Sequence, residues 1–362
     1  MVARLPVTMR TLLISIAVIL TGLLAGSCDK EETAAPPAPA DPPAPTEPAV
    51  PHSYTVSTLA GSGIYGFADG HGEDAAFREA YGLATDAEGN LYVADSGNNR
   101  IRKITPDGWV TTVAGDSAFG SANGTAAQAR FNYPHGLVVD GDGNIYVADA
   151  GNSLIRKISP DGIVTTLAGS GAAGFKNGRG KEAAFNFPAD IVLDPDNNLY
   201  VSDGGNACIR KITPDGVVST FATGFGFPEG MEIDKAGNLY VADAGGFVVR
   251  KVTPQGVVSI LAGSTSILGY VDGNGADARF HNPEGIAIDG LGNLYVGDLN
   301  AAIRKITPAG IVSTIAGTGV KGFADGTGPE ARFSEPSGMA IDPAGNLYVG
   351  DVRNLRIRKI QL

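Results

Sequence analysis

The feature that most constrains how this chain can fold is a seven-residue phrase written six times. It reads GNLYVAD, GNIYVAD, NNLYVSD, GNLYVAD, GNLYVGD and GNLYVGD, and each copy is trailed by an IRKI-like run. Self-similarity at a fixed period marks a unit that cannot bury its own apolar face and must stack on its neighbours. Such a scaffold fixes architecture far more tightly than it fixes activity. Aligned on the residue that opens each unit, the copies begin at Gly82, Gly136, Asp190, Gly230, Gly285 and Gly338. The intervals are 54, 54, 40, 55 and 53, so the connection after the third unit is short.

Within one period the residues predict four strands, in the first copy Leu83 to Thr85, Leu91 to Ala94, Ile101 to Ile104 and Trp109 to Ala114. Four short strands per period, separated by turn signals, match a propeller blade. The turns DAEGN, DGDGN, DPDNN, DKAGN, DGLGN and DPAGN place Asp before Gly or Asn, which supplies side-chain turn bonds and positive φ. LYVA is almost wholly apolar, as expected of a strand covered on both faces by neighbouring blades. The sixth unit stops at Leu362, three strands in, while YTVSTLAGSG at the start of the domain copies IVTTLAGSG from an interior unit. The strand at 54–61 is therefore expected to complete the last blade and remove an exposed sheet edge.

The pattern PxGIAxDxxGNLYVADxxNxxIRKITPxG resembles the NHL repeat, and the resemblance covers residues 54–362. It implies an all-β fold, a six-bladed β-propeller of four-stranded antiparallel blades. It implies no single activity, since relatives include scaffolds, extracellular sensor domains, RNA-binding modules and a few metal-dependent lyases.

Upstream of the repeats, Arg4 and Arg10 precede an apolar run that ends in LLAGSC. That order reads as a secretion signal over 1–27, and the run is short for a membrane span. Ala25 to Cys28 resemble a bacterial lipobox, with Ala25 where leucine is usual, which implies lipidation at Cys28. An ordinary signal peptide with an incidental cysteine is the alternative. Residues 28–52 are rich in Pro and Ala, cannot bury a core, and read as a tether. The domains are then 1–27, 28–52 and the propeller at 53–362, outside the cytoplasm in a bacterial cell envelope.

Loss of residues 1–27 would take the formal charge from −11 to −13. So acidic a domain is repelled by nucleic acid and by anionic headgroups, which argues against nucleic-acid binding. Cys208 is the one cysteine besides Cys28, so packing must stabilise a monomer without an intramolecular disulfide.

The residue before each opening position is expected to ring a central channel on the face that bears the connections between blades: Tyr81, His135, Ala189, Glu229, Glu284 and Ser337. His135, Glu229 and Glu284 suit a divalent cation such as calcium or zinc, or an acid and a base. The plain alternative is a wet channel mouth that tolerates any polar residue. Five connections carry a second motif ending in Phe77, Phe131, Phe185, Phe280 and Phe333, each five residues before the opening position, which predicts a fixed docking contact. Asp69, Asn123, Asn177, Asp272 and Asp325 precede a Gly in these loops and read as turn-formers. The short connection FATGFGFPEG lacks the motif, which predicts a notch between the third and fourth blades beside Glu229, lined by Phe225 and Phe227.

Six aspartates (Asp95, Asp149, Asp203, Asp243, Asp298, Asp351) and six arginines (Arg102, Arg156, Arg210, Arg250, Arg304, Arg358) recur in every unit. They predict a repeated scaffold tie rather than six active sites. The functional reading is a lipid-anchored propeller that binds a protein, peptide or glycan without turnover and needs no cofactor. Tyr81, His135, Glu229, Glu284, Ser337, Phe225 and Phe227 are its candidate binding residues. A metal-dependent hydrolase or lyase, gluconolactonase-like or similar to the amidating lyases, is the competing reading.

Overall fold

The computed structural model describes residues 54–362, so the expected signal segment, tether and Cys28 lie outside the described residues. Six antiparallel sheets, one per repeat, form a six-bladed propeller. In the first blade the strands run Ala80–Thr85, Leu91–Asp95, Arg100–Ile104 and Trp109–Ala114. The innermost strand begins three residues earlier than the sequence predicts, because it continues through a register shift between Ala80 and Leu83.

The turn chemistry explains why each copy folds alike. Asp86 accepts hydrogen bonds from the backbone and side-chain nitrogens of Asn90, both at 2.8 Å, while Gly89 takes φ +81°. The same pair recurs at Asp140 and Asn144, Asp194 and Asn198, Asp234 and Asn238, Asp289 and Asn293, and Asp342 and Asn346. Val93, Val147, Val201, Val241, Val296 and Val349 from the LYVA strands are buried, so the cores lie between adjacent blades.

Ring closure follows the sequence expectation. Thr55–Ala60 pairs with Arg356–Gln361, placing Val56 opposite Ile360 and Thr58 opposite Arg358. The N-terminal strand is thus the outermost full strand of the sixth blade.

Five blades hold a fifth strand that the sequence did not suggest. In each, the connection from the preceding blade lays down two residues along the outermost strand: Gly70–His71, Gly124–Thr125, Gly178–Arg179, Gly273–Asn274 and Gly326–Thr327. The fourth blade, Pro228–Ile233, Leu239–Asp243, Val248–Val252 and Val258–Gly263, keeps four strands because its connection is too short to supply one.

Candidate functional site

The recurrent Asp and Arg form the expected tie in every blade, at 2.8 Å for Asp95 and Arg102 and 2.7 Å for Asp351 and Arg358. The six carboxylates are fully buried. Three further partners make the tie into a latch for the loop. Arg102 donates to the carbonyl of Ala68 and to the Asp69 carboxylate, both at 2.6 Å, and Asp69 also accepts from the backbone and hydroxyl of Thr112. Asn98 donates to Asp95 and to the loop carbonyl of Gly66. Asn123, Asn177, Asp272 and Asp325 play the part of Asp69 in the other long loops. These five residues are therefore latch acceptors for a buried guanidinium, which corrects their reading as simple turn-formers.

Phe77, Phe131, Phe185, Phe280 and Phe333 are fully buried beneath those arginines, as a docking contact requires. Phe225 was expected on the wall of a notch, but its side chain is buried at 8% exposure with Arg250 5.7 Å from its ring centroid. It too lies five residues before its opening position, Gly230, so it is the sixth copy of the docking phenylalanine. Phe227 remains half-buried, 5.9 Å from the ring of Phe187.

The central channel is a cavity of about 210 Å³ lined by the innermost strands of all six blades, and Tyr81, His135, Ala189, Glu229, Glu284 and Ser337 ring it as the sequence predicts. The strands crowd so closely there that a Cβ on Gly338 would sit 1.6 Å from the carbonyl oxygen of Tyr81 on the next blade. Asp190 is the one opening residue with a side chain, and it spends that side chain across the seam: Met231 of the fourth blade donates its N–H to Oδ2 at 2.8 Å. Ser202 strengthens the same seam by donating to the carbonyl of Glu229 at 2.7 Å.

The mouth has two unlike walls. Tyr81 stacks on His135 with centroids 4.6 Å apart, and His135 meets Phe187 edge-on at 5.6 Å. Tyr133 and Phe187 sit two residues before those positions in their units, one step outward, and contact each other and the inner rings. With Phe227 they form a continuous aromatic arc over the first four blades. The equivalent outer positions on the first, fifth and sixth blades are Glu79, Asn282 and Glu335, and Arg353 donates to Glu335 at 2.7 Å and to Glu79 at 2.9 Å. Lys321 also donates to Glu335.

Burial controls the charge of these groups. Desolvation lowers His135 to about 4, partly offset by its ring nitrogen's bond to the carbonyl of Ala189 at 3.0 Å. Its other ring nitrogen lies 4.0 Å from Glu229, whose carboxyl is held well above the usual range by burial, then by Glu284 and Asp190. Burial raises Glu284 to about 7 against a hydrogen bond from Ser337. Deeper in the channel, burial raises Asp190 to about 7 and Glu232 to about 8.

Asp190 and Glu232 were missed as site residues, although the aligned columns marked them. One is the only non-glycine in its column, and the other is the only charge among Ala84, Val138, Val192, Ala287 and Ala340. Among the described residues, no three His, Cys, Asp or Glu side chains converge closely enough to hold a metal ion.

The NHL repeat model matches residues 77–104, 131–158, 185–212 and 333–360, and a strictosidine synthase-like N-terminal model matches 223–251. The protein SUPPRESSOR OF QUENCHING 1, chloroplastic, of Arabidopsis thaliana is 32% identical over 85% of this chain and 27% of its own length. NHL repeat-containing protein 2 of Gallus gallus is 31% identical over 75% of this chain and 45% of its own. This chain thus spans less than half the length of these curated relatives. An auxiliary nutrient binding protein from Bacteroides thetaiotaomicron shares the fold at TM-score 0.68 and 19% identity, covering 85% of this chain and 76% of the other. Streptogramin B lyase shares it at TM-score 0.57 and 15% identity, over 85% and 97%. With matched repeats, six sheets and a clasped ring, this chain is an NHL-repeat protein with a six-bladed β-propeller fold.

Proposed function

We propose that this propeller is a non-catalytic binding module whose ligand enters the channel mouth on the loop-bearing face. The carrying observation is the aromatic arc from Tyr81 to Phe227 beside the mouth of a cavity that Tyr81, His135, Glu229 and Glu284 line. Concave sites with an apolar wall and a few convergent polar groups are where proteins bind small ligands or the projecting end of a larger one. The asymmetry also favours binding, because a tie repeated in every blade is scaffold, whereas residues that break the repeat are free to serve a ligand. A nutrient-binding protein of the same fold is consistent with a peptide or glycan as the ligand. In this reading residues 1–52 export the domain and tether it by lipid at Cys28 to an envelope membrane.

The test is a thermal-shift panel of short peptides and oligosaccharides on the full chain, with Phe187→Ala and Tyr133→Ala alongside. Binding should be lost or cut about tenfold in both variants, a change of about 1.4 kcal/mol. Ligand protection confined to the opposite, turn-bearing face would overturn the assignment.

The approach of His135 to Glu229 supports a second reading, a hydrolase or lyase in which a neutral imidazole and a carboxyl exchange a proton. Elemental analysis of the purified protein, with substrate turnover by the triple variant His135→Ala, Glu229→Ala and Glu284→Ala, separates the two.

A further inference from the structure

We infer that the group received by this mouth is an organic cation, an ammonium carried on an apolar body. The inference rests on the binding role proposed above and names its ligand chemistry. Four observations point to it.

The inner ring holds two carboxyl groups and no Lys or Arg: its members are Tyr81, His135, Ala189, Glu229, Glu284 and Ser337. The cations at the rim are already committed, Arg353 to Glu335 and Glu79 and Lys321 to Glu335. His135 adds a ring but no charge at neutral pH, since its buried imidazole is held neutral by desolvation. Finally, Tyr81 lines the cavity and Tyr133, Phe187 and Phe227 continue its aromatic arc beside the mouth, supplying π faces that attract cations most where water is excluded.

The alternatives fit less well. An anion would meet Glu229, Glu284 and, below them, Asp190 and Glu232, with nothing to pair it. A neutral ligand leaves the acidic groups crowded and desolvated, a condition they relieve only by taking up protons. An ammonium relieves it by pairing with them. Its binding should therefore expel protons from the acids that face it: Glu229, which is faced by His135, Asp190 and Glu284, and Glu284, which is faced by Ser337, Glu335, Arg353 and Lys321. A cavity of about 210 Å³ admits a single ammonium-bearing group rather than a folded domain. The source could be a free amine or a lysine side chain on a peptide, and the probes below separate these.

The experiment titrates the full chain by calorimetry with benzylammonium, with benzyl alcohol as its uncharged counterpart, and with an end-capped Ala-Lys-Ala peptide. Benzylammonium should bind at least about tenfold more tightly than the alcohol, with an observed enthalpy that changes with the ionisation enthalpy of the buffer. The double variant Glu229→Gln and Glu284→Gln, which preserves side-chain volume, should bring the two small probes to within about twofold and abolish the buffer effect. Tyr133→Leu should weaken benzylammonium alone, and melting curves verify that each variant is folded. Tighter binding of the capped peptide than of benzylammonium identifies a polypeptide lysine as the source; the reverse identifies a free amine. Equal affinity for benzyl alcohol and benzylammonium, or ammonium binding indifferent to the double variant, overturns the inference. An oligosaccharide that binds at the mouth while both ammonium probes fail overturns it too, but leaves the binding role standing.

Discussion

The fourth blade and its five neighbours solve the same packing problem in different ways. In the five, a buried arginine reaches out to a loop, an asparagine bridges the tie to a loop carbonyl, and a threonine on the outermost strand grips the loop's Asp or Asn. In the fourth, the loop is missing and every contact that would have held it has changed as well. Gly246 stands where the bridging asparagine would be, and a Cβ there would lie 2.5 Å from Asp243 Oδ2. Ile260 stands where the gripping threonine would be, 48% exposed. Arg250 donates to Asp243 through Nε at 2.6 Å, and its side chain is 14% exposed where the latched arginines show none. The backbone N–H groups of Gly226 and Phe227 complete the carboxylate's shell. The lesson is that a repeat can lose a whole loop and stay stable if the buried acid keeps a full set of donors, since an unpaired buried charge is the costly outcome.

The largest expected effect comes from removing what the sixth blade borrows and the fourth blade never needed. Deletion of residues 54–61 strips the outermost full strand from Arg356–Gln361 and leaves Gly326–Thr327 without its partner. Cooperative unfolding should vanish from the calorimetric trace; a truncated chain that melts like the full one would show that the ring does not need its clasp.

The comparison itself is tested by truncating one arginine of each kind. Arg210→Ala leaves the buried Asp203 without its charge partner, with Asn186 and Asn206 still donating to it, and frees the loop acceptors at Lys176 and Asn177, so it should cost about 3–5 kcal/mol in urea unfolding. Arg250→Ala removes one charged hydrogen bond from a carboxylate that keeps two backbone donors, and about 2 kcal/mol is expected. Equal losses would erase the distinction between latched and unlatched blades.

A third test uses pH at the acidic groups that line the channel. Asp190 at about 7, Glu232 at about 8 and Glu284 at about 7 bind protons in the folded chain that they release when it unfolds. Stability from these groups is complete below their unfolded values of about 4 and is lost progressively as pH rises from there through 7 to 8. His135, lowered to about 4, works the other way and loses stability as pH falls below its ordinary value near 6.5. Melting temperature should therefore fall between about pH 6.5 and 8, above the range in which His135 opposes the decline, and level off beyond it. Asp190→Asn with Glu232→Gln should flatten that decline, and an unchanged slope would remove these groups as its cause.

The smallest effect is expected from exchanging outermost-strand residues. Thr112→Ile removes the hydroxyl's bond to Asp69 while keeping the backbone one and should cost about 1 kcal/mol, whereas Ile260→Thr, with no loop to hold, should stay within about 0.5 kcal/mol.

The sequence made the ring, the turns, the Asp and Arg tie and the clasp legible, because each is written once per period and a phase can be read by alignment. The fifth strands were not legible. Two residues such as Gly70 and His71 have no alternation to detect, and their pairing depends on the loop being pinned elsewhere by Asp69. Phe225 keeps the five-residue offset from Gly230 although its short connection lacks the rest of the loop motif, so the offset alone marks it as a docking phenylalanine. At the mouth, the inner ring came directly from the column before the opening residue. Of the outer arc only Phe227 was expected at the site; Tyr133 and Phe187 share its aligned column, but that column holds Glu79, Asn282 and Glu335 in the other units, and the stacking between blades exists only in the closed ring.

The pairing of Val56 with Ile360 has a consequence for synthesis on the ribosome. The earliest strand of the domain to emerge must wait for nearly the last, so the growing polypeptide carries an unmatched apolar ribbon through the whole of elongation. Whatever shields Val56 and Ala60 during that interval governs how much of the nascent product escapes aggregation.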